Sequence, residues 1–225
     1  IMKNKTFVLG DLHGGHKALL QVLERASFDY KKDTLISLGD VADGWTEIVE
    51  CFEEFFKIKN LIMIRGNHDQ WLLNWLETWE SPYVWVSQGG ENTLNNYGKH
   101  PKEIMDKHRN FLRKTPFWYL DKKNRLFVHG GLEVGVPIEK QDPEFLMWDR
   151  DLVTEDANVP EYHEGYVGHT TVWRRGGGLP VRYGNVVFMD TGGGWEGKLS
   201  LMNIDSGEVF QSDRVEDLYP GVHPR

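Results

Sequence analysis

With a single cysteine in 225 residues, Cys51, the chain can have no internal disulfide framework. Cys51 stands beside Phe52, Phe55 and Phe56, where a small thiol is expected to pack as a core residue rather than react. Long apolar runs are also missing. No stretch approaches the roughly 18 residues that a membrane span requires, so no membrane role is expected. Positive charge is scarce: 26 Lys and Arg face 34 Asp and Glu, for a formal net charge of −8. That balance argues against a broad nucleic-acid footprint, and any cationic site must be local. The first glycine-rich cluster begins at Gly10, leaving no room before it for a secretory signal, so a cytoplasmic location is expected.

The chain does have size and pattern. A hydrophobic content of 40% over 225 residues suits one compact domain spanning 1–225. Thr6 to Leu9 is β-prone and stops at glycine, and His16 to Ala26 then places Leu19, Leu20, Val22, Leu23 and Ala26 at helical spacing. Thr34 to Leu38 followed by a helix over Trp45 to Lys57, and Leu61 to Ile64 followed by a helix over Gln70 to Trp79, repeat the motif. Three βα units imply a parallel sheet. The second half differs. Arg125 to Val128, Tyr166 to Gly168, Val186 to Met189, Leu199 to Ile204 and Glu208 to Gln211 are short strand candidates between Gly, Asn and Asp turns. Between the halves, residues 70–120 form a tryptophan-rich helical insert, in which Trp71, Trp75 and Trp79 suggest a packed helix face.

Five clusters carry the chemistry: Gly10-Asp11-Leu12-His13-Gly14, Gly39-Asp40-Val41-Ala42-Asp43, Gly66-Asn67-His68-Asp69, His129-Gly130-Gly131 and Gly168-His169-Thr170. Each sets metal-binding side chains beside glycine at the end of an apolar run. In a parallel sheet, residues following the strands converge on one crevice, so distant positions can share a site. Asp11 and His13 suit one ion, Asp40 can bridge, and Asn67, His129 and His169 can complete the set. Carboxylate, amide and imidazole donors together suit Mn, Fe or Zn. Two divalent ions roughly 3.5 to 4 Å apart are what phosphate ester hydrolysis asks for. Two such ions less Asp11, Asp40 and a bridging hydroxide leave about +1, enough to attract a phosphate.

On these motifs the sequence resembles the calcineurin-like metallophosphoesterases and, within them, the PPP phosphoprotein phosphatases of bacteria and phage. The resemblance runs from Gly10 to about Leu201. It implies an α/β sandwich of two mixed β-sheets flanked by helices, and two divalent ions, Mn first among them. One ion would be held by Asp11, His13 and Asp40, the other by Asp40, Asn67, His129 and His169. It also implies that a metal-bridging hydroxide attacks phosphorus while His68, oriented by Asp43, protonates the leaving alkoxide, with Arg65 and Arg150 near the phosphate. An alkoxide needs that proton during bond cleavage, and a neighbouring carboxylate keeps a histidine charged and aimed. Planar bidentate donors suit phosphate oxygens. The pattern departs from the family at Gly44-Trp45, which replace an arginine and a glycine. Arg65 and Arg150, or Arg174 and Arg175, would then meet the phosphate, or Trp45 would form a flat wall.

The expected function is therefore phosphomonoester hydrolysis, with a phosphorylated protein (Ser, Thr or Tyr) or a small phosphoester as partner. A rival is a nucleotidase resembling the dinucleoside polyphosphate hydrolases, with Trp45 or Trp148 stacking a base. Another is a binding scaffold that kept the fold and lost catalysis, against which the complete ligand set speaks. The glycine runs 176–178 and 192–194 read as hairpins or bulges rather than phosphate cradles.

Overall fold

A computed structural model describes residues 4–224. Two five-stranded mixed sheets face each other, with helices on the outside. The first contains β1 (Thr6–Leu9), β2 (Thr34–Ser37), β3 (Asn60–Met63), β9 (Ser200–Asn203) and β10 (Val209–Gln211), in the order β10-β9-β1-β2-β3. Its β1, β2 and β3 run parallel, because each is followed by a crossover helix. The crossovers are α1 (His16–Arg25) and α2 (Ile48–Phe55), with α3 (Asn67–Thr78) following β3. The second sheet holds β4 (Trp118–Leu120), β5 (Arg125–Val128), β6 (Glu164–Val167), β7 (Val181–Tyr183) and β8 (Val186–Phe188), in the order β4-β5-β6-β8-β7. β5, β6 and β8 are parallel, and β4 and β7 close the edges antiparallel.

The layer between the sheets is apolar from both sides. Val8, Ile36, Leu38 and Ile64 meet Phe127, Tyr166, Val187 and Met189, all essentially inaccessible. A second cluster joins the other face of the first sheet to its helices and contains Cys51, fully buried. Burial and the neighbouring Glu47, Glu50 and Glu54 push its thiol well above the ordinary range, as suits a packing residue. Among the described residues no helix is long and apolar enough to cross a membrane.

The insert is where the chain departs most from its periodicity. α3 begins at Asn67, three residues before the position suggested by hydrophobic spacing, because Asp69 accepts the N–H of the N-cap residue Gly66 at 3.0 Å, the half of a capping box that a glycine allows. After α3 come a single turn, α4 (Tyr83–Trp85), a wide π-type segment (Val86–Gly90), α5 (Glu91–Tyr97) and α6 (Lys102–Leu112). Gln88 and Gly89 break the helical path there, Gly89 with φ of 100°. The Trp71, Trp75 and Trp79 face is only partly a core face: Trp75 is buried, but Trp79 is 53% exposed. Short helices α7 (Pro143–Trp148) and α8 (Val215–Leu218) complete the fold.

Candidate active site

The parallel strands of both sheets end at one crevice. β1 leads to Asp11 and His13, β2 to Asp40 and Asp43, β3 to Asn67 and His68, β5 to His129 and β6 to His169. All of these side chains are at least nine-tenths buried. Among the described residues, seven non-glycine positions have a positive φ, and four of them are His13 (47°), Asp40 (50°), Asp43 (66°) and His169 (62°). Each such backbone costs on the order of 1–3 kcal/mol, and such strain gathers where geometry serves function.

Asp40 is the hub. Its Oδ2 lies 3.2 Å from His129 Nε2 and 3.7 Å from His13 Nε2, and its Oδ1 accepts the His68 N–H at 2.9 Å, at the start of α3. One donor atom each from His13, Asp40 and His68, and again from Asp40, His129 and His169, fall within 4.8 Å of one another. Burial works against the Asp40 charge, but His129, His68 and His13 together hold its carboxyl well below the ordinary range. Asp11 is pushed the other way, by burial and by the nearby carboxylates of Asp190 and Asp40. His129 rises to about 10, since Asp40 outweighs the burial that opposes its charge. His169 falls to about 3 through burial and the neighbouring His129.

Divalent ions fit this donor set. Nε2 of His169 is buried without a hydrogen-bond partner among the described residues, a cost that coordination would remove. The imidazoles are also pre-aimed, with Nδ1 of His13 at 3.1 Å from the Ala42 carbonyl and Nδ1 of His129 at 2.8 Å from that of Leu38. Such contacts fix the tautomer and leave Nε2 as the ligand atom. Asn67 Oδ1 lies 3.0 Å from His129 Nε2, and Asp11 accepts the His169 N–H at 2.9 Å, so both candidates join the cluster. That last contact needs Gly168, whose Cβ, were there one, would lie 2.3 Å from Asp11 Oδ1.

His68 and Asp43 form a separate pair. Nδ1 of His68 sits 2.7 Å from Asp43 Oδ2, which leaves the far ring nitrogen for the crevice. Asp43 is itself held by residues that the sequence does not advertise. Trp85 Nε1 donates to both of its oxygens, at 2.9 and 2.8 Å, and Thr93 Oγ1 donates to Oδ1 at 2.6 Å. The sequence offered no signal for this beyond an indole N–H and a hydroxyl within the insert. Asp69 is another: its carboxylate accepts from Asp40, Val41, Ala42 and Gly66 N–H groups between 2.7 and 3.1 Å. Gly194 is a third, lying so close to His13 that a Cβ would fall 2.3 Å from its ring.

The arginines separate. Arg150 lines the cavity of about 230 Å³ over the cluster, with Nη1 donating to the His169 carbonyl at 3.1 Å and to Thr170 Oγ1 at 3.0 Å. Arg65 does not line it. Its guanidinium donates to Thr115 Oγ1 (3.0 Å), Gln70 Oε1 (2.9 Å) and the Leu112 and Thr115 carbonyls, and rests over Phe117, so it ties α6 to the start of α3. Arg174 and Arg175 line a neighbouring groove instead. The arginine absent at position 44 has no room there, because Gly44 has φ of 83° and a Cβ would lie 2.8 Å from His13 Cβ. Trp45 offers no flat wall to a phosphate or a base: it is 1% exposed, stacked on Tyr219 and bonded through Nε1 to the Gly193 carbonyl. Trp148, 39% exposed, stands at the cavity rim against Trp71 and His169.

The calcineurin-like phosphoesterase family model matches residues 5–192, and the chain belongs to that family. It is 25% identical over 205 residues to serine/threonine-protein phosphatase 1 of Salmonella typhimurium, covering 88% of this chain and 91% of the relative. It is 30% identical over 131 residues to the symmetrical bis(5'-nucleosyl)-tetraphosphatase of Pseudomonas fluorescens, covering 56% of this chain but only 43% of that protein. By structure it is similar to a chain assigned provisionally as a diadenosine tetraphosphatase, with a TM-score of 0.70, 19% identity and 93% of each chain covered. A protein-tyrosine phosphatase of a psychrophilic Shewanella follows at 0.64 with 16% identity, covering 94% of this chain and 81% of the other, and both structures speak to the fold alone. The chain is a metal-dependent phosphoesterase by class.

Proposed function

We propose that the protein is a two-metal phosphomonoesterase acting on phosphorylated proteins. The observation that carries the chemistry is the His68 to Asp43 contact of 2.7 Å beside a carboxylate, Asp40, shared by two groups of donors. Asp11, His13 and Asp40 would hold one ion, and Asp40, Asn67, His129 and His169 the other; the mixed donors suit Mn, Fe or Zn, and the family resemblance puts Mn first. When bound, the ions supply a nucleophile at neutral pH and neutralise the charge that develops on phosphate. His68 gives its proton to the departing oxygen while the Asp43 carboxylate, 2.7 Å from Nδ1, orients the ring. Arg150 binds a phosphate oxygen from the rim, which is the cationic contact left once Arg65 is engaged elsewhere. Trp71 and Trp148, ringed around His68 and His169, keep bulk water from the leaving group. We place the enzyme in the cytoplasm with such substrates.

Supporting this choice of substrate, the Salmonella serine/threonine phosphatase is 25% identical over 91% of its length, whereas a Pseudomonas putida tetraphosphatase aligned over 94% of its length is 22% identical. The test is turnover, with added Mn, of a phosphoserine and phosphothreonine peptide panel against diadenosine tetraphosphate and an aryl phosphate. Preference for the peptides by kcat/KM is the expected result. Hydrolysis of the dinucleotide alone would replace the substrate, and inertness toward all three would remove the enzyme.

A further inference from the structure

Beside the catalytic cavity lies a second, larger one of about 620 Å³, within the range of ligand pockets and ample for a large side chain. The two share walls: Thr171 and Trp195 line both. Trp195 is 43% exposed, and Trp173, half-buried, forms another wall of the groove. Neither the metal cluster nor the acid uses this space.

Its charges cancel. The lining carries Arg174 and Arg175 but also Glu196 and Glu216, and Arg174 is paired with Glu196 at 2.7 Å. A nucleoside polyphosphate brings several negative charges and would find no net attraction in such a groove. A neutral aromatic or bulky apolar side chain loses nothing to the missing charge and gains contact with indole faces. In an extended peptide successive residues rise about 3.3 Å, so a side chain one or two positions from the phosphorylated residue reaches a compartment that shares a wall with the cavity.

We propose that this groove is a specificity subsite that takes an aromatic side chain flanking the phosphorylated residue of a protein substrate. The inference rests on the phosphoprotein reading above and names which phosphopeptides are preferred. Burying an aromatic ring there raises kcat/KM by about tenfold or more over an alanine in the same place. The experiment compares paired phosphopeptides that differ only by Phe or Ala at each of the two positions on either side of the phosphoserine. It is run on the Mn-loaded chain as wild type, Trp173→Ala and Trp173→Phe. The readout is the Phe/Ala ratio of kcat/KM within each preparation, which does not depend on how much of a variant is folded.

The expected result is a ratio of about ten or more at one position, falling toward one in Trp173→Ala and largely kept in Trp173→Phe. Phosphopeptides hydrolysed with a ratio near one throughout would overturn the subsite and leave the phosphoprotein reading intact. A ratio that survives Trp173→Ala unchanged would overturn the assignment to this groove. Phosphopeptides left uncut while diadenosine tetraphosphate is cleaved would overturn both.

Discussion

The two sheets bring different chemistry to the same crevice. Strand ends of the first deliver carboxylates and an amide (Asp11, Asp40 and Asn67) with one imidazole, His13, while the second delivers imidazoles, His129 and His169. The first also carries the acid pair, His68 and Asp43, and three of the four strained site residues. Asp40 is the one group in both sets of donors, so the first sheet sets the charge of the site and the second completes its coordination. One ion would be held by donors of the first sheet alone, and the other needs both sheets.

The sharpest way to break that comparison is to remove the hub. Asp40→Ala is expected to lose both ions and at least about 10³-fold in kcat on an aryl phosphate, equivalent to about 4 kcal/mol of barrier. His169→Ala should retain close to one ion per chain. Metal analysis of the two variants side by side decides; equal losses would mean that the sheets are not unequal partners.

Next in size is the acid. His68→Asn should keep the metal content of the wild type and lower turnover of an alkyl phosphate by roughly 10² to 10⁴, with a smaller loss on an aryl phosphate whose leaving group needs no proton. Identical losses on the two substrates would remove His68 from that role. Behind it stands the insert: Trp85→Phe takes one N–H from the Asp43 carboxylate, a charge-assisted contact of about 1.5–3 kcal/mol. The expected outcome is a fall of about tenfold in kcat with KM unmoved, again larger for alkyl than for aryl substrates. A purely structural role would lower the melting temperature and leave that substrate contrast untouched.

The smallest expected effect lies away from the crevice, on the helix side of the first sheet. Burial opposes the Glu54 charge, but Lys57, Tyr30 and His16 outweigh it and hold the carboxyl below its ordinary value. A depressed carboxylate contributes stability that is complete above its unfolded pKa, about 4.3, and is lost as pH falls through the lower folded value. Glu54→Gln should therefore flatten the acid limb of a melting-temperature profile while changing little of the pH dependence of activity. An unchanged acid limb would show that the Glu54 contacts contribute nothing to stability.

Much of this was legible in the sequence because the ligands are tied to strand ends. β1, β2 and β5 fall within a residue of where apolar runs stop at glycine or histidine, and β3 within a residue of where one stops at Arg65-Gly66, and that stop is what places a ligand. The insert was less legible. The break at Gln88 and Gly89 redirects the chain so that Trp85 and Thr93 reach Asp43, and no periodicity encodes a contact across 42 or 50 positions. The three-residue edge strands β4 and β7 are too short to show a period of two. Arg65 sits where the family resemblance would put a phosphate ligand, yet its donors are taken up by backbone and side-chain oxygens that only the fold brings near.

The Asp69 carboxylate, with four backbone N–H groups from the turns after β2 and β3, works as a common pin through both loops. Turns fastened to one pin cannot drift independently, so the reacting centre behaves as a rigid anvil. Variety among substrates must then be written on the exposed margin, at Gln88 and Trp195, where residues can be exchanged without detuning the hydrolytic step.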